Sequence, residues 1–139
     1  MKRQTTPHLE LLAAVTGANL ARFIRKILAI SDSAILIWSD SQITLHWING
    51  GGNVKKDAHI QKKLKVIHDS SIPDSAWKYV PTSDNPADLL TRRLSANAFL
   101  SSHQWIHGPD WLPHHADRPE WAARKPDTTA DAHVIEVEE

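Results

Sequence analysis

Apolar residues recur at helical spacing along residues 5–30. Leu9, Leu12, Leu20, Phe23, Ile24 and Ile27 make one row, and Leu11, Val15 and Ala18 widen it. An arc that broad predicts a helix buried on more than one side. Thr6 is a candidate N-cap, Pro7 suits the first helical position, and Glu10 falls in the first turn. Arg22, Arg25 and Lys26 come late, where cations suit a helix C-terminus. Residues 34–39, Ala-Ile-Leu-Ile-Trp-Ser, form a continuous apolar run. Such a run predicts a buried strand of the parallel-sheet kind, ending at Asp40. Ser41 to Ile48 reads as a short helix with Ile43, Trp47 and Ile48 inward, and Asn49-Gly50-Gly51-Gly52-Asn53 breaks it.

Residues 57–70 read as a second amphipathic helix. Ile60, Leu64 and Ile67 share one face, and Lys62, Lys63 and Lys65 point elsewhere. Trp77 to Val80 reads as a second strand, stopped by Pro81. Asp84 or Asn85 then caps a short helix with Pro86 in its first turn, running to Arg92 or Arg93. Ser95 to Leu100 adds another turn or two. The order helix, strand, helix, helix, strand, helix predicts an α/β fold, two parallel strands flanked by helical crossovers. Most sheets have more strands, so part of this one is expected to be missing. Residues 5–112 are expected to form the domain. From about residue 113 no period is visible, and residues 113–139 are expected to be an acidic, disordered tail.

Composition narrows the class. The 139 residues fit one domain, and 41% hydrophobic with 23% charged residues excludes a wholly disordered chain. No apolar run reaches the length of a membrane span, so no membrane partner is expected. There is no cysteine, which excludes disulfides, thiolate zinc sites and cysteine catalysis. An intracellular location is expected, cytoplasm and nucleus alike. Residues 1–100 carry 13 Lys/Arg against 8 Asp/Glu, and residues 101–139 carry 3 against 8. The front part favours a polyanion; the back part does not.

Three acids stand where an α/β fold gathers them. Glu10 opens the first helix, Asp40 ends a strand, and Asp88 follows the second strand. Active sites of open α/β sheets lie at the C-terminal strand edge. Carboxylates without cysteine suit hard cations such as Mg²⁺ or Mn²⁺. Two such ions about 3.5–4 Å apart activate water in phosphodiester cleavage. Each acid also has a plainer reading: Glu10 as a dipole-complementing residue, Asp40 as an N-cap, Asp88 as a solvated helix residue. Lys55, Lys56, Lys62, Lys63 and Lys65 either grip nucleic-acid phosphates or form a solvated helix face. His103, His107, His114 and His115 are loosely spaced like zinc ligands, and His46 lies near Asp40 as a candidate proton carrier. Trp105 and Trp111 either stack on bases or pack on the domain.

The words around the acids resemble a known family. Thr5-Thr6-Pro7-His8-Leu9-Glu10-Leu11-Leu12-Ala13-Ala14 resembles the helix opening of a region in BEL/Pao-type retrotransposon polyproteins. Trp38-Ser39-Asp40-Ser41-Gln42-Ile43-Thr44-Leu45-His46-Trp47-Ile48 resembles the strand and helix that follow it there. Tyr79 to Arg92 resembles the later acidic motif, and Trp105 to Leu112 the closing element. In that family the region is a ribonuclease H-like domain after the reverse transcriptase. The resemblance implies an RNase H fold with a five-stranded mixed sheet. It implies two-ion hydrolysis of the RNA strand of an RNA–DNA hybrid, with Mg²⁺ or Mn²⁺. RNase H domains use four acids; Glu10 matches the second, Asp40 the third and Asp88 the fourth. Nothing matches the first, and the family's first three strands have no counterpart before Glu10. The expectation is a partial RNase H-like domain, a fragment or degenerate copy, inactive as an isolated chain. The missing strands would come from an upstream reverse transcriptase or another chain. The alternative is a non-catalytic nucleic-acid-binding or assembly remnant.

Overall fold

The computed structural model describes residues 6–31, 34–51 and 57–120. The first helix, α1 (Thr6–Leu28), covers the expected span. Thr6 is already helical, so Glu10 lies in the second turn, not the first. Leu11, Ala14 and Ala18 are the buried residues of α1. They face the third helix, on which α1 mainly packs, and the second helix to a lesser degree. The bulky row expected inside is outside. Leu9, Leu12, Leu20, Phe23, Ile24 and Ile27 are 39–62% exposed. The arc is wide enough for two packing layers, and the fold supplies one. The close approach of two helices selects the small residues Ala14 and Ala18 for the buried side. α1 stops at Ala29, whose φ of 50° turns the chain left-handed, and Ile30 N–H donates to the Arg25 carbonyl at 3.2 Å.

Strand β1 (Ile37–Ser39) pairs in parallel with β2 (Trp77–Tyr79), with Ile37 opposite Trp77, Trp38 opposite Lys78 and Ser39 opposite Tyr79. The parallel pairing is the one expected, and the element order is α/β. Both strands are shorter than the apolar runs. Residues 74–76 form a 3₁₀ turn and offer no ladder to residues 34–36, and Pro81 lacks an amide to extend the other end. Val80 N–H still donates to the Ser39 carbonyl at 3.1 Å.

Helix α2 (Gln42–Ile48) is capped by Ser41, whose Oγ accepts Thr44 N–H at 3.2 Å. It buries Thr44, Leu45 and Ile48, while Ile43 is 42% exposed. Of the three residues expected inward, Ile48 is buried and Trp47 packs half-buried against the core, and Ile43 alone faces out. Gly50, at φ 78°, ends α2; Gly50 N–H donates to the Trp47 carbonyl and Gly51 N–H to that of His46. This left-handed stop is what glycine is suited to. Helix α3 (Ala58–His68) is capped by Asp57 and buries Ile60, Leu64 and Ile67, as its pattern predicts.

Paired residues of a parallel ladder share a face, and neighbours along a strand alternate. Ile37, Trp77 and Tyr79 meet the core of Leu11, Ala14, Ala18, Leu45, Ile48, Ile60, Leu64 and Ile67. Trp38, on the opposite face, contacts Trp111 with ring centroids 5.0 Å apart. Residues beyond β2 reach it through a 3₁₀ helix at Pro86–Leu90, then α4 (Ala96–Leu100) and α5 (His103–His107). The 3₁₀ helix ends at Leu90, short of the expected Arg92 or Arg93, and Asn85 rather than Asp84 caps it. Structure continues past Leu112. His115–Asp117 form a 3₁₀ turn, and Arg118 donates to the Leu112 carbonyl at 3.1 and 3.3 Å. Residues 121–139 of the expected tail lie outside the described residues.

Candidate functional site

Glu10 projects from the second turn of α1, and its Oε2 accepts the Ser41 hydroxyl at 2.5 Å. Ser41 follows β1 and caps α2, so this bond ties Glu10 to the C-terminal end of β1, at the residue after Asp40. The local turn is tight: Ser41 N–H donates to Ser39 Oγ at 3.2 Å. Ser41 has one hydroxyl proton. Given to Glu10, it leaves Ser41 Oγ to accept from the Thr44 hydroxyl, 2.9 Å away, and from Thr44 N–H. Because Ser41 caps α2, Asp40 does not; it is half-buried at the strand end.

Asp88 lies on the 3₁₀ helix that follows β2. The parallel register makes β1 and β2 end on the same sheet edge, so the chain leaves for Asp88 from the edge that carries Asp40. Asp88 is half-buried, with an oxygen 3.9 Å from the Arg92 guanidinium. Among the described residues, no three His, Asp or Glu side chains are grouped to hold a metal ion. The contacts of Glu10 and Asp88 are the hydrogen bond from Ser41 and the ion pair with Arg92. His103, His107, His114 and His115 form no such group either. His103 and His107 lie ring against ring at 4.6 Å, and His103 is 3.7 Å from Asp110.

The lysines are divided. Lys63 donates to the His8 carbonyl at 3.0 Å, tying α3 to the start of α1. Lys65 pairs with Asp69 at 3.0 Å, and Lys62 is exposed. Lys55 and Lys56 lie outside the described residues. Trp111 donates its indole N–H to Asp84 at 2.9 Å while contacting Trp38, and Trp105 packs on Phe99 at 4.5 Å. Both tryptophans thus have packing roles.

Sequence reasoning missed two residues. Ser41 is the link between Glu10 and the strand end; a serine directly after a strand, three residues before Thr44, is a legible N-cap signal. Asp84 anchors Trp111, a contact across 27 residues that no local pattern announces. A cleft of about 1170 Å³ also runs past β2. It touches Trp77, Lys78 and Tyr79 in succession, with His46 and Arg118 on its walls. None of Glu10, Asp40 and Asp88 lines it.

Residues 1–41 match the family model described as Pao retrotransposon-like RNaseH-like domain. The matched segment holds Glu10 and Asp40 and ends before Asp88. It supports a retroelement origin of RNase H-like type. No curated protein and no solved structure matches the chain.

Proposed function

We propose that this chain is a retroelement RNase H-like domain whose ancestral reaction is hydrolysis of RNA in RNA–DNA hybrids, and that the isolated chain does not perform it. The observation that carries the origin is the family-model match over residues 1–41, a segment that holds Glu10 and Asp40. The Ser41–Glu10 bond ties the acid of the first helix to the residue that follows Asp40. Glu10, Asp40 and Asp88 are the acids of that ancestral site, with Mg²⁺ or Mn²⁺ as its ions. The sheet supports inactivity: among the described residues, β1 is hydrogen-bonded on one side, to β2. A full RNase H sheet would place more strands on the other edge, from an adjoining reverse transcriptase or another chain. Contact with a hybrid would fall to Lys62 and Lys65, with Lys55 and Lys56, and would weaken with salt.

The test is cleavage of an end-labelled RNA–DNA hybrid in Mg²⁺ and in Mn²⁺, with Asp40→Asn as control. The expected result is no RNA cutting above the control. RNA cutting that vanishes in Asp40→Asn would refute inactivity and leave the domain assignment standing. A second reading, an assembly remnant without catalysis, is favoured by the bare apolar face of α1.

A further inference from the structure

We propose that α1 pairs antiparallel with α1 of a second copy of this chain, through the apolar face the fold leaves bare. This deepens the assembly reading and is independent of the hydrolytic one. Leu9, Ala13, Thr16, Leu20, Phe23 and Ile27 follow one another at intervals that alternate four and three residues. That is the seam of a helix pair. On the same repeat the buried Leu11 and Ala18 fall farthest from the seam, so the domain body stands clear of a partner helix. All six seam residues are exposed, Phe23 and Ile27 by 61% and 62%.

The seam is complementary to itself in one direction. In an antiparallel pair with its two-fold axis level with residue 18, Leu9 meets the second copy's Ile27. Ala13 meets Phe23, and Thr16 meets Leu20. Small faces large in the inner layers, as interdigitation requires. A parallel pair would set Phe23 on Phe23 and Ala13 on Ala13, a crowded layer and an empty one. Thr16 brings no unpaired hydroxyl to the seam, because its Oγ1 donates to the Leu12 carbonyl at 3.1 Å. Leu12 and Ile24 flank the seam and are also exposed.

Seven large apolar residues of α1 are 39–62% exposed, beyond the singly scattered exposed apolar residues that are ordinary on a monomer. A pair covering most of that face on both copies would approach the lower end of a standard specific interface, about 1,200 Å² in total.

Sedimentation velocity on the full chain tests the pairing. A species of twice 15.6 kDa is expected at micromolar concentration. Phe23→Ala and Ala13→Phe should each weaken it about tenfold. Their combination should restore most of the loss, since position 13 faces position 23 of the other copy. The chain has no cysteine, so Asn19→Cys offers a single thiol near the two-fold axis. A short bismaleimide should join two such chains. All three positions are exposed, and unchanged far-ultraviolet circular dichroism will confirm folding; Leu20→Glu is a further exposed variant expected to give monomer. A monomer at all soluble concentrations overturns the proposal. So does a dimer indifferent to Leu20→Glu and to the single changes Phe23→Ala and Ala13→Phe, or one that Asn19→Cys fails to cross-link.

Discussion

Asp57 accepts Ile60 N–H at 3.2 Å and His59 N–H at 2.8 Å. These bonds, Ile60's first, hold its carboxyl below the usual carboxylate range, and the nearby His8 and His59 add attraction. A pKa lowered in the folded state gives a stabilisation that is complete above the unfolded value, about 4. It is lost as pH falls through the folded value. Asp57→Asn keeps an acceptor at the cap but has no charge to titrate. Thermal melts between about pH 5 and pH 2.5 should therefore fall less steeply for Asp57→Asn than for the natural chain. Equal slopes would show that the cap's charge is irrelevant. At this scale the sequence was partly legible. Asp40 was visible because an apolar run stops on it. Ser41 was legible as a cap, but its link to Glu10 was not, because that residue arrives from 31 positions away.

Among the elements, α3 was read correctly because Ile60, Leu64 and Ile67 are its only strong apolar row. α1 was misread because it has two. Bulk alone favoured Leu20, Phe23 and Ile27, whereas helix packing chose Leu11, Ala14 and Ala18. Strand length was also illegible locally, since residues 34–36 lack a ladder partner only because of what residues 74–76 do. The stop of α1 carries a prediction. Ala29 holds a left-handed φ of 50°, a conformation costing a residue with a Cβ about 1–2 kcal/mol. Glycine avoids that cost but gives the unfolded chain about 0.4–1 kcal/mol of extra freedom. Ala29→Gly should thus stabilise by about 0.5–1 kcal/mol, read as a rise in the urea midpoint at constant m-value. A fall in the midpoint would show that the left-handed turn carries no strain.

For the molecule as a whole, one core joins α1, α2, α3 and one sheet face, and Leu45 is fully buried in it. Leu45→Ala should cost about 3 kcal/mol in chemical denaturation, a large share of what a small domain has. A loss under about 1 kcal/mol would mean the core collapses to fill the gap. The helix-and-strand order and the parallel pairing were legible here, because an apolar run, a helical stretch and another apolar run admit few topologies. The seating of Trp111 between Trp38 and Asp84 was not, since it joins segments far apart in the chain. The parallel pairing has a kinetic meaning too. Ile37 and Trp77 are partners 40 positions apart in the chain, and everything between them must be threaded as a crossover. Closing so long a loop is unfavourable before α2 and α3 have formed and docked. The helices are expected to assemble early and the strand pair late, which φ-values near zero for changes at Ile37 would show.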